Sequence, residues 1–188
     1  MRIIAGSRKG IRLTAFKNNT IRPTSDQNKE VMFNVLAGFM GGSHVLDLYA
    51  GTGNLGIEAL SRGAAKAIFI DNAFKSVKII SENLQKTNFV DKADVFKMSV
   101  SRAIKQFSAS RTKFDIIFAD PPYYKDLATS TLRDVEKLEI IKDKGWLILE
   151  HEAKTTNRLS PEISHFFLKS QKKQGDTLVS FFQYEDQT

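Results

Sequence analysis

The 188-residue chain contains no cysteine. Disulfides, thiolate nucleophiles and cysteine-ligated metals are therefore excluded, and the composition fits a reducing, cytoplasmic setting. No apolar run approaches the ~20 residues that a membrane-spanning helix needs, so membrane insertion is not expected. The opening Met1-Arg2-Ile3-Ile4-Ala5-Gly6-Ser7-Arg8-Lys9 has no long apolar stretch behind its charges and does not read as a secretory signal. Histidine is scarce, and His44, His151 and His165 show no metal-ligand spacing. No metal is expected, and solvated or packed roles suit all three. Internal repeats and low-complexity segments are absent as well.

Acidic charge is short relative to basic. The formal net charge is +7 and the pI is 9.5, which favours a polyanionic partner. Residues 1–30 carry seven cations (Arg2, Arg8, Lys9, Arg12, Lys17, Arg22, Lys29) against Asp26 and Glu30, so this one segment supplies most of the excess. Two short alternating stretches, 2–5 and 11–16, flank Gly6-Ser7-Arg8-Lys9-Gly10 and suggest a hairpin. Residues 1–22 are read as a basic N-terminal hairpin extension and 23–188 as the main domain. Pro23-Thr24-Ser25-Asp26 punctuates the chain, and a helix over about 26–39 follows, closing at Gly41-Gly42.

From Val45 onward short apolar runs alternate with amphipathic segments. Strands are expected at 45–49, 67–71, 93–97, 114–119 and 146–150, and helices at 54–62, 73–87, 99–107 and about 127–139. That alternation predicts an α/β fold with a mostly parallel sheet covered by helices on both faces. Residues 163–168 and 178–184, around Lys172-Lys173-Gln174-Gly175-Asp176, are expected to close the sheet as an antiparallel pair.

The first strand runs into Asp47-Leu48-Tyr49-Ala50-Gly51-Thr52-Gly53-Asn54-Leu55-Gly56. Gly51-x-Gly53-x-x-Gly56 at a strand-to-helix turn lets a nucleotide-like cofactor approach backbone amides at a helix start. Asp47 chooses among cofactors. A carboxylate beside the loop repels a pyrophosphate but welcomes a cationic ligand such as S-adenosylmethionine, which argues against NAD. Asp71 ends the next strand, where a carboxylate accepts from ribose hydroxyls or caps the following helix. Ser99 and Val100 occupy the place of an adenine contact, and Ser99 is equally suited to cap a helix.

The fourth strand ends in Asp120-Pro121-Pro122-Tyr123. Proline donates no ladder hydrogen bond, so the sheet stops there. Asp120 and the Pro121 carbonyl can accept the two hydrogens of an exocyclic amine, Pro122 stiffens the turn, and Tyr123 offers a stacking face. A Pro-Pro turn with Asp120 as a helix cap is the plain alternative. Glu150 and Glu152, at the end of the fifth strand, line a pocket or are surface acids. Arg22 and Thr24 close over a ligand or serve a cap and turn, and Tyr124 has no assigned role.

Together, "RPTSDQNKEVMFNVL" at 22–36, "VLDLYAGTGNLGIEALSRGA" at 45–64, "FDIIFADPPYYKD" at 114–126 and "KKQGDTLVSFFQYE" at 172–185 resemble the bacterial RsmD family. These are class I S-adenosylmethionine-dependent methyltransferases acting on N2 of one guanine in 16S ribosomal RNA. The resemblance spans nearly the whole chain. It implies a Rossmann-like fold with a seven-stranded sheet, and cofactor contacts from Asp47, Gly51, Gly53 and Asp71. It further implies an amine site at Asp120, Pro121, Pro122 and Tyr123. Arg2, Arg8, Lys9, Arg12 and Arg22 would meet RNA phosphates, positioning the target rather than specifying it. A guanine in a folded RNA would have to be splayed out to reach Asp120. The expectation is a cytoplasmic, monomeric enzyme acting on 16S RNA or the small-subunit ribonucleoprotein. The competing readings are methylation of adenine-N6 or cytosine-N4 in DNA or of protein glutamine, and a non-catalytic RNA-binding assembly factor.

Overall fold

A computed structural model describes residues 1–16, 26–122, 127–153, 164–175 and 177–186. The strands are β1 (His44–Leu48), β2 (Lys66–Asp71), β3 (Ala93–Lys97), β4 (Phe114–Ala119), β5 (Ile141–Glu152), β6 (Phe166–Gln174) and β7 (Thr177–Tyr184). They form one seven-stranded sheet in the order β3-β2-β1-β4-β5-β7-β6. The helices are α1 (Asp26–Val35), α2 (Asn54–Ser61), α3 (Phe74–Thr87), α4 (Val100–Ala109) and α5 (Leu127–Lys137). The chain divides into two compact units, Met1–Met98 and Ser99–Thr188.

In the first unit β1, β2 and β3 pair in parallel. Every residue of α2 is buried, and its fit against the sheet depends on Gly56. A Cβ there would lie 2.3 Å from the Phe69 ring of β2, so only glycine lets the helix approach this closely. Helix α3 ends at Asn88 in the left-handed region, an asparagine C-cap.

The N-terminal segment is less strand-like than its alternation suggests. Arg2 and Arg12 form a single antiparallel bridge, supported by Ile3 N to Ile11 O at 3.0 Å and Gly10 N to Ile3 O at 2.8 Å. Toward the loop, pairing goes no further because the amides of Ile4 and Ala5 donate instead to the Glu58 carboxylate of α2, at 2.9 and 3.0 Å. The next residues sit on the last turn of α2. Ser7 N donates to Ser61 O at 2.7 Å, Arg8 N donates to Ser61 Oγ, and Ser61 Oγ donates to Ala5 O. Gly6, at φ +82°, makes this seat possible, since a Cβ would fall 1.8 Å from Ser61 O.

Glu58 also anchors the helix that precedes the sheet. Lys29 of α1, fully buried, donates to Glu58 Oε2 at 3.2 Å, to Asn54 Oδ1 at 3.0 Å and to the Arg2 carbonyl. Arg62 Nε approaches the other carboxylate oxygen at 2.8 Å. α1 itself stops at Val35 and passes into a 3-10 turn over Ala37–Phe39, shorter than the helix expected to 39. Thr24 and Ser25, which precede it, lie outside the described residues.

In the second unit β4 and β5 are parallel, β7 is antiparallel to β5, and β6 is antiparallel to β7. β5 begins at Ile141, five residues before the expected start at Trp146. Its charged entry, Lys142-Asp143-Lys144, is held to β4 by Lys142 on both oxygens of Asp115, at 2.9 and 2.8 Å, beside a register shift at Phe114/Ile116. β6 likewise continues through Lys172 and Lys173, expected in the turn, because both pair in register with Val179 and Leu178 on an edge strand whose outer side chains are free to be charged. The turn is reduced to the residues around Gly175, at φ +61°.

Removing Glu58 would strand the Lys29 ammonium and two backbone amides in the interior. Glu58→Ala is expected to cost about 3–5 kcal/mol, read from the denaturant midpoint. Adding Lys29→Met should recover part of that loss. A double variant no more stable than Glu58→Ala would show that Lys29 does not depend on this carboxylate.

Candidate active site

β1 delivers its chain to a loop built on left-handed turns, with Tyr49 at φ +59° and Gly53 at +76° as the N-cap of α2. Ala50 N donates to Ile70 O of β2 at 3.0 Å, and Gly53 N closes a turn onto Ala50 O at 2.7 Å. Three side chains then fix the loop. Asp71, the last residue of β2, accepts from Gly51 N at 2.9 Å. Asp47 of β1 accepts from Gly56 N at 2.9 Å. Asn83 of α3 donates to Thr52 O at 2.9 Å, while its other contacts hold Thr14, whose amide donates to Asn83 Oδ1 at 2.7 Å. The loop is preorganised before any ligand arrives.

Asp47 is almost wholly buried, and burial pushes its carboxyl up to about 8. The Gly56 amide pulls the other way, and the negative charge of Asp71 adds to the rise. Such a group favours a cationic ligand, because a nearby positive charge restores its ionised form. Asp71 uses one oxygen for Gly51 and the other for Ala73 N at 2.8 Å. A carboxylate has about four acceptor positions, so two hydroxyls of a sugar can still be accommodated. The helix-cap alternative for Asp71 does not hold in its usual form, since the N-cap of α3 is Ala73 and no side chain caps it. Asn54, first residue of α2, keeps its Nδ2 buried without an acceptor among the described residues. These features fit a ligand carrying a cation, a ribose and an acceptor group.

In the second unit Ser99 caps α4, its Oγ accepting from Arg102 N at 3.4 Å, and Val100 is buried one residue on. β4 keeps its pairing with β5 through Ala119↔Leu149 and no further. Asp120 follows half-buried, Pro121 buried and Pro122 exposed. Tyr123 lies outside the described residues, as does Tyr124. β5 runs on past Leu149, pairing Glu150, His151 and Glu152 with Val179, Leu178 and Thr177 of β7. His151 is packed rather than catalytic in character: Nε2 meets Ser180 Oγ at 2.8 Å, Nδ1 meets Glu152 O at 2.9 Å, and burial lowers its pKa. No cluster of three or more His, Asp or Glu able to hold a metal occurs among the described residues.

Of the expected phosphate contacts, Arg2, Lys9 and Arg12 are exposed, with Arg2 Nε paired to Asp26 at 2.9 Å. Arg8 differs. Its Nε donates to Thr87 O at the end of α3, at 2.8 Å, and its guanidinium lies 5.5 Å from the Phe89 ring centre. This side chain holds the arm in place. Arg22 lies outside the described residues. Sequence reasoning missed Lys29, Asn54, Glu58 and Asn83. The available signal was a polar residue inside an apolar helical stripe, as at Glu58 amid Leu55, Ile57, Ala59 and Leu60, or Asn83 beside Ile79, Ile80 and Leu84.

A family model described as Conserved hypothetical protein 95, the RsmD family, matches residues 1–183. The chain belongs to this family. It is 37% identical to YlbH of Bacillus subtilis over 152 residues, covering 81% of this chain and 83% of that protein. It is 31% identical to Ribosomal RNA small subunit methyltransferase D of Escherichia coli over 191 residues, covering 100% and 91%. The solved structure of yhhF from Escherichia coli superimposes with a TM-score of 0.87 at 29% identity, covering 100% of this chain and 99% of that one. The fold of this RsmD-family member is thus the Rossmann-like methyltransferase fold, with antiparallel C-terminal strands.

Asp47 carries a pH signature. An unfolded aspartate ionises near about 4. Between that value and about 8 the folded chain keeps a proton that the unfolded chain releases, so this group's stabilising contribution is lost as pH rises across the window. Asp47→Asn, which retains an oxygen for Gly56 N, is expected to flatten the decline in denaturation midpoint between about pH 5 and pH 8. Equal slopes for the two proteins would mean that Asp47 is already ionised in the fold.

Proposed function

We propose that this protein transfers a methyl group from S-adenosylmethionine to the exocyclic N2 of a guanine in 16S ribosomal RNA. The observation that carries the reading is the end of β4, where pairing stops at Ala119 and Asp120-Pro121-Pro122 follows, in a chain matched by the RsmD family over residues 1–183. The methyltransferase fold and the name of the Escherichia coli relative support methyl transfer to ribosomal RNA.

S-adenosylmethionine is the cofactor, and when bound it supplies a methyl group activated by sulfonium. Asp47 answers its positive charge, Asp71 takes the ribose hydroxyls, the Gly51 and Gly53 loop admits it to the backbone, and Ser99 and Val100 border its adenine. The guanine amine is a poor nucleophile because its lone pair is delocalised into the ring. Asp120 and the Pro121 carbonyl each accept one of its hydrogens and hold them out of the ring plane, which localises the lone pair on nitrogen. The Asp120 carboxylate, or water beside it, would take the proton that the amine loses as its nitrogen bonds the methyl carbon, the carbon–sulfur bond breaking with its electron pair left on a neutral thioether. Pro122 fixes the direction of these acceptors, and Tyr123 stacks on the base. Lys9, Arg12 and Arg2 meet phosphates of the RNA. A ribosomal RNA substrate puts this work in the cytoplasm.

Asp120→Ala is expected to lower methyl transfer from labelled S-adenosylmethionine to small-subunit RNA on the order of 10²–10⁴-fold, with cofactor affinity unchanged by calorimetry. Undiminished turnover would remove Asp120 from the mechanism. Nucleoside analysis of the product should give N2-methylguanosine. A methylated adenine or cytosine would replace the substrate assignment while keeping the chemistry.

Cofactor binding is also expected to expel a proton from Asp47 at neutral pH, since the acid pushed up to about 8 ionises beside a cation. Calorimetry in buffers of different ionisation enthalpy reads this release directly. A binding enthalpy independent of buffer would contradict the ion pair.

A further inference from the structure

Phe74 opens α3 with 70% of its surface exposed. A single exposed aromatic needs no explanation, but this one is part of a row. The Lys97 ammonium, at the end of edge strand β3, lies 5.8 Å from the Phe74 ring centre. The ammonium of Lys75, the next residue of α3, lies 5.5 Å from the ring centre of Phe16 in the N-terminal arm. Phe16–Lys75 and Phe74–Lys97 are thus two ring–cation pairs, joined through the adjacent residues Phe74 and Lys75. Lys78, exposed one turn further along α3, extends its positive edge.

The acids around this row have other partners. Asp71, three residues before Phe74, is half-buried and accepts from two backbone amides. Asp94 of β3 pairs with Lys66 at 2.7 Å. A surface with an uncovered ring, a second half-buried ring and three lysines suits a ligand that offers planar faces and negative charge together. Single-stranded nucleic acid does so: bases stack on the rings while the lysines turn to phosphates, and such stacking is stronger than an exposed ammonium-ring contact. The row also continues the basic arm onto the body of the first unit.

Resting on the RNA reading above, we propose that Phe16, Phe74, Lys75 and Lys97 form a stacking platform for an unpaired stretch of the RNA substrate. None of its residues is assigned to the amine. Its rings bind bases without reading their identity, so the platform adds affinity and leaves target choice elsewhere.

The test uses the full chain, in-vitro-transcribed small-subunit RNA and S-adenosylhomocysteine. Phe74→Ala is expected to weaken RNA binding roughly 5- to 100-fold and Phe74→Trp to restore it, with melting temperature and S-adenosylhomocysteine affinity unchanged. Lys75→Gln with Lys97→Gln should reduce the slope of log Kd against log salt by about 1 to 2. RNA affinity unchanged in Phe74→Ala, while the wild type binds, would overturn the platform alone. Weakened S-adenosylhomocysteine binding with RNA binding intact would overturn it too, placing Phe74 in the adenine site. A wild type that binds no RNA would overturn the function reading along with it.

Discussion

The first unit is organised around one buried carboxylate. Glu58 receives the Lys29 ammonium, the Arg62 guanidinium and the amides of Ile4 and Ala5, so three separated parts of the chain meet at a single side chain. A buried ion pair carries a desolvation penalty of several kcal/mol per ion, and it is tolerable only when further hydrogen bonds satisfy the remaining oxygens and protons. Here they do. Lys29, whose pKa burial lowers and Glu58 raises in return, also binds Asn54 and the Arg2 carbonyl, which ties it to both the arm and the start of α2. The arm is consequently built into the structure that carries the glycine loop.

The loop repeats this device with opposite consequences. Asp47 and Asp71 hold backbone amides of the loop that follows β1, which orients it, but Asp47 has no cation among the described residues at hydrogen-bond distance and its carboxyl is pushed up to about 8. Lys29 and Glu58 are a closed system; Asp47 is an open one. A buried acid held partly neutral is a standing cost to the fold, and a cationic ligand relieves it. Asn83 gives the loop a further link, because one side chain grips Thr14 of the arm and Thr52 of the loop. Whatever displaces the arm bears on the loop through that amide group.

These features differ in how far they can be read from sequence. The Gly51-Gly53-Gly56 turn is local: its glycines, the strand before it and the helix after it all fall between His44 and Ser61, and period and turn chemistry locate them. Helices α3 and α4 and the parallel strands were legible for the same reason. Glu58 was not, because its partners lie 29 and 54 residues away and its neighbours on α2 read as plain core. Arg8 looked like one more phosphate contact, since charge alone does not reveal that Thr87 and Phe89 would receive it. The arm read as a pair of strands because alternation was visible, whereas the carboxylate that diverts the Ile4 and Ala5 amides was not. Ser99 was legible as either cap or ligand, and its bond to Arg102 supplies the cap.

The end of β4 follows from the same accounting of backbone groups. A parallel strand in a sheet ordinarily ends when its ladder partner does, yet β5 continues three residues beyond Leu149, and β7 satisfies that extension. β4 is thus not short of a neighbour when it stops at Ala119. It stops because Pro121 and Pro122 bring no amide hydrogens and cannot donate to a further rung of the ladder. The same two prolines that end the strand also fix the backbone direction where, under the function proposed above, the exocyclic amine would be held.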